Sequence, residues 1–236
     1  MIRLDQYLVE NNLVDSRNKA QQLIKASKVS VNKKVITKPS FKISDEEVEL
    51  DDAYVYVSRA AYKLKNFLPL LPFNVEGMRA LDIGSSTGGF TEVLLLNKVE
   101  GVTSVDVGSS QLHEKLAKDE RVSSVENQDI RDFKSEKPFE LITCDVSFIS
   151  LHHILQAIDT LSSRYMIVLF KPQFEVGKDV KRDKHGVVTD KKAISAAMTK
   201  FEDACTLMGW NKVLMEASSL SGKEGNIEYC YCYEKN

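Results

Sequence analysis

The sequence predicts an α/β protein with a mostly parallel seven-stranded sheet and a small α+β domain ahead of it. Three observations support this prediction. From Ala80 onward, strand-like and helix-like segments alternate, which is typical of a parallel sheet with helices on both faces. The first fifty residues instead suggest two short helices followed by short strands. A length of 236 residues is enough for one domain of ordinary size and one small domain.

Composition excludes several classes of protein. The net charge is −2 and no apolar run reaches the length of a membrane span, so we expect no contact with a membrane. The N-terminus, Met1-Ile-Arg-Leu-Asp5, lacks the apolar core of a signal peptide, which predicts a cytoplasmic protein. The four cysteines form no CxxC pair, and we therefore expect buried thiols and no metal site.

Two amphipathic helices are predicted first in the N-terminal domain, residues 1–50. Leu4 and Leu8 lie one helical turn apart and form the apolar stripe of the first helix. Asp15 or Ser16 is expected to cap a second helix that runs to about Ala26. On this second helix, one side is apolar and the other is basic. The side chains expected to face the core are Ala20, Leu23 and Ile24.

A hairpin and a block of positive charge follow. Val29–Val35 alternates in hydrophobicity, with Asn32-Lys33 at the predicted turn. Residues 16–43 carry eight basic side chains and no acidic one, which favours an RNA partner over a merely solvated surface. The side chains expected to contact RNA are Arg3, Arg17, Lys19, Gln22, Lys25, Lys28, Asn32 and Lys33.

The same segment resembles a known domain. The runs Arg3-Leu-Asp-Gln-Tyr-Leu8, Ser16-Arg-Asn-Lys-Ala-Gln-Gln-Leu-Ile-Lys25 and Val29-Ser-Val-Asn32 together resemble the S4 RNA-binding domain. The resemblance covers about residues 1–50 and implies that this domain binds RNA. It agrees with the charge pattern, which points to the same kind of partner.

The larger domain is predicted to span residues 58–236, after a linker at residues 51–57. Ser58 is expected to cap a helix that ends near Leu68, before Pro69. Strands are predicted at Ala80–Ile83, Gly101–Val105, Val122–Glu126, Leu141–Asp145 and Met166–Phe170, with two more near the end of the sequence. Further helices are predicted at Gly89–Asn97, Gln111–Lys118, Leu151–Leu161 and Lys191–Met208.

A glycine-rich turn follows the first strand of the larger domain, in Leu81-Asp-Ile-Gly-Ser-Ser-Thr-Gly-Gly-Phe90. Such a turn lets a ligand approach the backbone at the start of a helix. A P-loop requires Gly-Lys-Ser/Thr, but here Phe90 follows Gly89. The dinucleotide fingerprint requires a central glycine, where this sequence has Ser86. The remaining match is S-adenosyl-L-methionine, which we predict as the cofactor.

Acidic residues at the ends of three strands complete the predicted cofactor site, because ligands of such sheets bind beyond the carboxyl ends of the strands. Asp82 is expected to face the ammonium group of the cofactor, Asp106 its ribose hydroxyls and Asp129 its adenine amino group. The predicted cofactor-binding residues are Asp82, Gly84, Ser85, Ser86, Thr87, Gly88, Gly89, Phe90, Asp106, Val107, Asp129 and Ile130.

Four charged residues are predicted to surround the transferred methyl group: Lys63, Asp145, Lys171 and Glu228. Transfer to a hydroxyl needs that oxygen in line with the methyl group and needs removal of its proton. Lys171 is the candidate base, helped by Lys63, while Asp145 and Glu228 orient the two ammonium groups. Because acidic neighbours also favour a charged lysine, the alternative is that positioning supplies most of the rate.

The motif after the fourth strand argues against methylation of a base. Exocyclic-amine methyltransferases usually carry Asn/Asp-Pro-Pro-Tyr/Phe there, whereas this sequence has Asp145-Val-Ser-Phe148. Carbon-5 methylation needs a nucleophilic cysteine, typically after proline, and no Pro-Cys occurs. A ribose 2′-hydroxyl of RNA is therefore the predicted acceptor.

Four motifs extend the resemblance to nearly the whole chain: Ser58-Arg-Ala-Ala-Tyr-Lys-Leu64, Asp145-Val-Ser-Phe-Ile-Ser-Leu151, Lys171-Pro-Gln-Phe-Glu-Val-Gly177 and Gly225-Asn-Ile-Glu228. Together they resemble the TlyA family, which joins an S4 domain to an FtsJ-like methyltransferase. The resemblance implies a Rossmann-like fold that uses S-adenosylmethionine, and it places the family's Lys-Asp-Lys-Glu tetrad on Lys63, Asp145, Lys171 and Glu228. It further implies a cytidine 2′-hydroxyl in 16S and/or 23S ribosomal RNA as acceptor, within a ribosomal subunit. The linker departs from relatives, with Tyr54-Val-Tyr-Val57 in place of Arg-x-Trp-Val.

Two other functions would leave different marks in the sequence. A catalytically idle ribosome-assembly factor should have a broken cofactor turn or tetrad, and both are complete here. A haemolysin should have a spanning or strongly amphipathic segment, which the sequence does not show. One further segment has two interpretations: Phe174–Thr189, with four basic residues, either closes over substrate RNA or is a plain solvated loop.

Overall fold

A computed structural model describes residues 2–11, 13–14, 16–44, 46–50, 56–222 and 224–236. These residues form two compact units, Met1–Tyr56 and Val57–Asn236. Asp15, which was one of two candidate helix caps, lies outside the described residues, as does Tyr54 in the linker motif. Most of the predicted linker, residues 51–55, also lies outside them.

The described residues of the N-terminal unit form two helices and five short strands. They are β1 (Ile2–Arg3), α1 (Leu4–Glu10), α2 (Arg17–Lys25), β2 (Val29–Val31), β3 (Lys34–Val35), β4 (Lys42–Ile43) and β5 (Val48–Leu50). Strand β2 pairs antiparallel with β3 and β5, and β1 pairs antiparallel with β4. Asn32 (φ 49°) and Lys33 (φ 65°) both adopt left-handed backbone at the predicted hairpin turn, because a two-residue turn of this kind requires it.

The predicted apolar stripes of the two helices form the core of this unit. Leu4 and Leu8 of α1 are fully buried and belong to one cluster with the predicted face of α2. Ser16 caps α2, since its hydroxyl oxygen accepts the amide of Lys19 at 3.2 Å. Burial of one such leucine contributes about 1.5–3 kcal/mol to stability. The members of the cluster from α2 are Ala20, Leu23 and Ile24.

The larger unit has a seven-stranded sheet with helices packed on it. Its strands are β6 (Arg79–Ile83), β7 (Gly101–Val105), β8 (Val122–Val125), β9 (Phe139–Cys144), β10 (Ser162–Phe170), β11 (Trp210–Ala217) and β12 (Tyr229–Lys235). Its α-helices are α3 (Ala61–Phe67), α4 (Gly89–Leu96), α5 (Glu114–Ala117), α6 (Leu155–Leu161), α7 (Pro172–Glu175) and α8 (Lys191–Leu207), and 3₁₀ turns lie at Leu68–Leu70 and Leu151–His153.

The order of the strands determines where a ligand can bind. The sheet runs β11-β12-β10-β9-β6-β7-β8, and β12 runs opposite to the other six strands. The chain leaves β6 toward β7 and later returns to the other side of β6 at β9, so the strand order reverses there. Crevices at such a reversal, beyond the carboxyl ends of the strands, are where ligands bind in open α/β sheets. The predicted seven-stranded, mostly parallel sheet is therefore confirmed.

Three predicted helices are shorter than expected, and the one expected at Leu151–Leu161 starts as the 3₁₀ turn Leu151–His153 ahead of α6. The helix expected from Ser58 begins at Ala61, because the Ser58 hydroxyl accepts the amide of Ala60 at 3.0 Å in a preceding turn. The helix expected at Gln111–Lys118 shrinks to α5. Three backbone amides at residues 110–112 donate to the carboxylate of Glu126, at 2.5, 2.9 and 3.3 Å, in a turn that precedes the helix. The helix itself starts after His113, whose backbone is not helical and whose ring nitrogen accepts the amide of Lys115 at 3.2 Å.

Aromatic rings fill the core between α8 and the sheet. Phe201 of α8 lies 5.4 Å from Phe170 and 5.3 Å from Tyr231, measured between ring centroids. Such tilted and edge-on pairs add about 0.5–1.5 kcal/mol each to the burial of their area. All four cysteines are buried free thiols, as the sequence predicted. No helix in the described part of the chain has the length and apolar character to span a membrane.

Candidate active site

Four charged side chains, three of them buried and that of Asp145 largely so, meet at one edge of the sheet. The ammonium nitrogen of Lys63 lies 2.6 Å from Oε2 of Glu228 and 3.8 Å from Oδ2 of Asp145. The ammonium nitrogen of Lys171 lies 2.5 Å from Oδ1 of the same aspartate. The four groups thus form a row of alternating charge, Glu228–Lys63–Asp145–Lys171. We call this row the charged tetrad.

The topology explains how distant positions come together. Asp145 and Lys171 directly follow the carboxyl ends of the neighbouring parallel strands β9 and β10. Glu228 precedes β12, and because this strand runs antiparallel, its first residues lie at the same edge. Lys63 comes from α3, which packs against α4. The four residues that the sequence predicted for the transfer site are therefore assembled in one place.

Two polar side chains that were not predicted extend the tetrad. The Lys171 ammonium donates to the Ser147 hydroxyl oxygen at 2.9 Å. The Gln173 side-chain amide donates to Oε1 of Glu228 at 3.2 Å. Both residues lie in motifs that the sequence singled out, two positions beyond Asp145 and Lys171. That proximity was the available signal, although neither residue type is charged.

A cavity of about 380 Å³ opens beside the tetrad, at the reversal of the strand order. Of the predicted cofactor-binding residues, Gly84, Ser86, Asp106, Val107, Asp129 and Ile130 line it. Asp145 also lines it, so the cavity and the tetrad share a wall. The unpredicted lining residues include Gln111, Gln128, Val146, Ser147, Phe148 and Ile149.

Gly84 is required where the cavity meets the tetrad. Its φ of +76° is left-handed, and a Cβ there would lie 2.9 Å from the carbonyl oxygen of Asp145. That distance is shorter than a real Cβ contact, so a side chain would push the turn away from β9. The glycine therefore allows the turn after β6 to approach the start of the tetrad loop closely.

The carboxylate of Asp106 organises the same wall. Its Oδ2 accepts the amide of Ser86 at 2.8 Å and its Oδ1 accepts the amide of Gly108 at 2.7 Å. Each carboxylate oxygen has a second acceptor position, so the pair of oxygens can also accept two hydroxyl protons. This arrangement is compatible with the ribose contact predicted from the sequence.

Asp129 lines the cavity but is already paired. Its carboxylate contacts the guanidinium of Arg131 at 2.9 and 2.6 Å and accepts the Arg131 amide at 2.9 Å. The hydrogen bonds from the Arg131 side chain lower the pKa of Asp129 to about 2. The carboxylate therefore stays ionised, and an adenine amino group in the cavity would have to compete with Arg131 for it.

Asp82 is not placed as the sequence predicted. Its carboxylate is fully buried and accepts the hydroxyls of Thr91 at 2.7 Å and Thr143 at 2.9 Å. Burial raises the pKa of Asp82 to about 6. The side chain points between α4 and β9 and does not line the cavity, so a contact with the cofactor's ammonium group is not supported.

Five other predicted cofactor residues shape the turn without lining the cavity. Gly88 approaches the side chains of Leu112 and Leu116 so closely that a Cβ would overlap them. A Cβ at Gly89 would lie 2.6 Å from the Ser58 hydroxyl oxygen. Both glycines thus permit close packing around the start of α4. The five residues are Ser85, Thr87, Gly88, Gly89 and Phe90.

Phe148 stands at the cavity and is almost fully exposed. Its side chain is 92% accessible and its φ of 66° is left-handed, which is uncommon for an aromatic residue. Its ring centroid lies 5.3 Å from that of Phe174. An exposed aromatic in an unfavourable backbone conformation beside a cavity is typical of a functional site. The sequence placed this residue in a family motif and in the argument against base methylation, but predicted no role for it.

The predicted RNA-contacting residues divide into two groups in the structure. Gln22, Lys25, Asn32 and Lys33 are exposed, and Lys28 is half-buried. Lys19 donates to the backbone carbonyl of Tyr56 at 3.3 Å. By contrast, Arg3 and Arg17 contact the buried carboxylate of Asp5 at 2.9 and 3.1 Å. These two guanidinium groups therefore have a partner inside the unit. The sequence had not indicated the pairing of Arg17 with Asp5, which lies twelve residues away.

Three features define the class of protein: the order of the strands, the glycine turn at the cavity and the charged tetrad. Together they are typical of proteins with the fold of S-adenosylmethionine-dependent methyltransferases. A solved structure from Listeria monocytogenes, provisionally named an S-adenosylmethionine-dependent methyltransferase, has the same fold with a TM-score of 0.57. It is 14% identical in sequence, and the match covers 75% of this chain and 100% of that one. The model of the FtsJ-like methyltransferase family matches residues 56–235, and the S4 domain model matches residues 2–48. The chain therefore belongs to the TlyA family of FtsJ-like methyltransferases with an S4 domain, and it is an enzyme.

Individual relatives agree with this membership. The chain is 47% identical to the Campylobacter jejuni 23S rRNA (cytidine-2′-O)-methyltransferase TlyA over 98% of each chain. It is 38% identical to the Mycobacterium tuberculosis 16S/23S rRNA (cytidine-2′-O)-methyltransferase TlyA, over 96% of this chain and 87% of that one. A solved Streptococcus thermophilus structure, provisionally named a hemolysin, is 33% identical with a TM-score of 0.76, over 99% of this chain and 88% of that one.

Proposed function

We propose that this protein transfers a methyl group from S-adenosyl-L-methionine to the 2′-hydroxyl of a cytidine in 16S and/or 23S ribosomal RNA. The observation that carries the proposal is the charged tetrad beside the cavity, because a row of two lysines and two acids can hold and deprotonate a hydroxyl. The names of the two curated relatives supply the cytidine and the ribosomal RNA. As ribosomal RNA is the substrate, we place the reaction in the cytoplasm.

The residues of the cavity fit S-adenosylmethionine. The Asp106 carboxylate has free acceptor positions for ribose hydroxyls, and the exposed Val107 and buried Ile130 offer apolar surface for an adenine ring. The close approach of Gly84 to β9 leaves the turn open to the methionine part. When bound, this cofactor supplies an electrophilic methyl group. The tetrad borders the cavity through Asp145, which puts the acceptor site next to the methyl group's binding site.

The tetrad would hold the acceptor hydroxyl and receive its proton. Lys171 contacts Asp145 at 2.5 Å and Ser147 at 2.9 Å, which fixes the position of its side chain, so we assign most of the rate to positioning, with the hydroxyl proton leaving late to the Asp145 carboxylate. Lys63, held between two carboxylates, would orient the ribose and carry compensating charge. Glu228 and Gln173 would keep Lys63 in place. The exposed ring of Phe148 would stack on the base of the target nucleotide.

The N-terminal unit would bind RNA as a separate domain. We propose boundaries of residues 1–50 for this domain and 58–236 for the methyltransferase domain, in agreement with the two compact units. The exposed side chains of Lys25 and Lys33, with Gln22 and Asn32, would contact the RNA backbone and the edges of its bases. The main role of Arg3 and Arg17 would be to stabilise the domain through their ion pairs with Asp5. Contact of their partly exposed guanidinium groups with RNA would be a secondary role.

Transfer of a tritiated methyl group from S-adenosylmethionine to ribosomal subunits and to deproteinised RNA tests the proposal. Wild type should label at least one subunit, and Lys171→Ala should lose about 10²-fold or more of the rate. Lys118→Ala, on an exposed helix end, is the matched control and should keep full activity. Absence of label on every substrate, with RNA binding retained, would support a catalytically idle assembly factor instead.

A further inference from the structure

The loop that follows α7, residues 177–189, is ordered by its own arginine. We call it the basic loop. The Arg182 guanidinium donates to the backbone carbonyls of Gly177 at 2.8 Å, Val180 at 2.9 Å and Lys178 at 3.0 Å. The Asp183 carboxylate accepts two amides of the same loop, at 2.8 and 2.9 Å. The side chains of Arg182 and Asp183 thus bind the backbone of their own loop, which gives the loop a defined shape without a ligand.

The basic loop is attached to the segment that carries Glu228. The amide of Val188 donates to Oδ1 of Asn226 at 3.0 Å, and both residues are buried. Asn226 lies two positions before Glu228 of the charged tetrad. At its other end, the loop begins directly after α7, which follows Lys171. The loop is therefore connected at both ends to residues of the tetrad and lies beside the proposed transfer site.

The side chains that the basic loop presents to solvent are mainly positive. Lys178, Lys181 and Lys184 are exposed, and no ion pair joins them to a carboxylate among the described residues. Of the acids in the loop, Asp183 is occupied by backbone amides, which leaves Asp179. Asp190, just beyond the loop, accepts two amides as the cap of α8. Three unpaired lysines therefore face outward within seven residues.

We propose that the basic loop is a second RNA-binding surface, which contacts phosphates of the substrate RNA next to the methylated nucleotide. The proposal rests on the proposed function, since the partner is the RNA substrate of the neighbouring tetrad. Phosphate contacts position an RNA without reading its sequence, and lysines on flexible stems suit that task. Because Arg182 already orders the backbone, binding loses little conformational entropy there. The loop is a rigid binding surface beside the transfer site and does not need to close over the RNA.

Equilibrium binding to ribosomal RNA over a salt series tests the loop. The variant is Lys178→Gln/Lys181→Gln/Lys184→Gln in the full chain. The matched control is Lys118→Gln/Lys134→Gln/Lys137→Gln, which removes the same charge from exposed positions that precede β8 and β9 and thus lie at the opposite edge of the sheet. Loss of three phosphate contacts should reduce the slope of log K against log salt by about 2–3, and weaken binding by roughly 10- to 100-fold at physiological salt.

Each outcome decides the proposal. A reduced slope and weaker binding in the loop variant alone, with unchanged cofactor affinity by calorimetry, supports the second RNA surface. Equal behaviour of loop and control variants overturns it, whether or not the wild type methylates RNA. A defect on assembled subunits but not on deproteinised RNA also overturns it, because the partner would then be a ribosomal protein. Failure of the wild type to transfer methyl groups contradicts the proposed function separately, and the binding slopes still report on the loop.

Discussion

Oδ1 of Asp145 lies 2.5 Å from the ammonium nitrogen of Lys171, while Oδ2 of the same carboxylate lies 3.8 Å from that of Lys63. The Asp145 carboxylate thus serves two buried lysines, whereas the second acid, Glu228, pairs with Lys63 and accepts its other side-chain hydrogen bond from Gln173. This asymmetry distinguishes the acids by their expected contribution, although both sit in one row.

The asymmetry predicts a ranking of two isosteric variants. Asp145→Asn leaves both lysines without their shared carboxylate, and should lower kcat by about 10²-fold or more. Glu228→Gln keeps one acceptor oxygen, which is enough for its single lysine partner Lys63, whereas the one acceptor of an asparagine at position 145 has two lysines to serve; Glu228→Gln should therefore lower kcat by only about 10-fold. Single-turnover methyl transfer at saturating cofactor measures both. An equal or larger loss in Glu228→Gln would contradict the assignment of Asp145 as the central acid.

Gly84→Ala should weaken cofactor binding. The added Cβ would meet the Asp145 carbonyl, and a left-handed alanine costs about 1–2 kcal/mol in addition. Gly209→Ala is the matched control, since Gly209 has φ +78° and a Cβ added there would meet nothing within 4 Å. Calorimetry should show roughly a 10-fold or greater loss of cofactor affinity for Gly84→Ala alone. Equal affinities of the two variants would mean that the close approach has no role in binding.

Asp82→Asn should change the pH dependence of stability and leave cofactor binding nearly unchanged. Burial raises the pKa of Asp82 from 3.8 to about 6, so ionisation is harder in the folded state. Wild type therefore loses stability as the pH rises from about 4 to about 6, by up to about 3 kcal/mol from this group. Asparagine cannot ionise and should remove that slope.

Denaturant unfolding at pH 4.5 and pH 7 measures this effect, with the exposed Asp132→Asn as control. A large loss of cofactor affinity in Asp82→Asn, with stability unaffected, would instead support Asp82 as a contact for the ammonium group. In the structure, both carboxylate oxygens of Asp82 accept hydrogen bonds from threonine hydroxyls, those of Thr91 and Thr143.

Asp5→Asn should destabilise the N-terminal unit. The hydrogen bonds from Arg3 hold the pKa of Asp5 well below its usual value, with help from Gln21 and Arg17. The carboxylate therefore stabilises the fold above the unfolded pKa, near 4, and this stabilisation is lost as the pH falls. Since both guanidinium groups are partly exposed, we expect a loss of about 2 kcal/mol at neutral pH. Limited proteolysis of the full chain should show faster cleavage within residues 2–50, and an unchanged rate would argue against this network.

The sequence predicted the parts of the site that depend on strand order. Asp145, Lys171 and Asp106 follow strands whose apolar runs are easy to recognise, and parallel strands bring their ends together. Lys63 was found through its motif, since nothing in the spacing indicates that α3 reaches the tetrad. These predictions needed only the order of the elements, which alternation reveals.

Other features depend on tertiary contacts that periodicity does not record. The side chain of Asp82 turns toward Thr91 and Thr143, a direction that the glycine turn did not reveal. The carboxylate of Glu126 accepts three amides of the turn that precedes α5. Arg17 pairs with Asp5 across the core of its unit. Each case is a charged side chain that satisfies buried or backbone groups far away in sequence.

The position of the methyl group in the product tests the central claim most directly. After transfer of a tritiated methyl group to ribosomal RNA, alkaline hydrolysis cleaves next to every free 2′-hydroxyl and spares a methylated one. We predict that the label appears in an alkali-resistant dinucleotide that contains cytidine, and that Asp145→Asn abolishes it. Label in mononucleotides, which would place the methyl group on a base, would contradict the account.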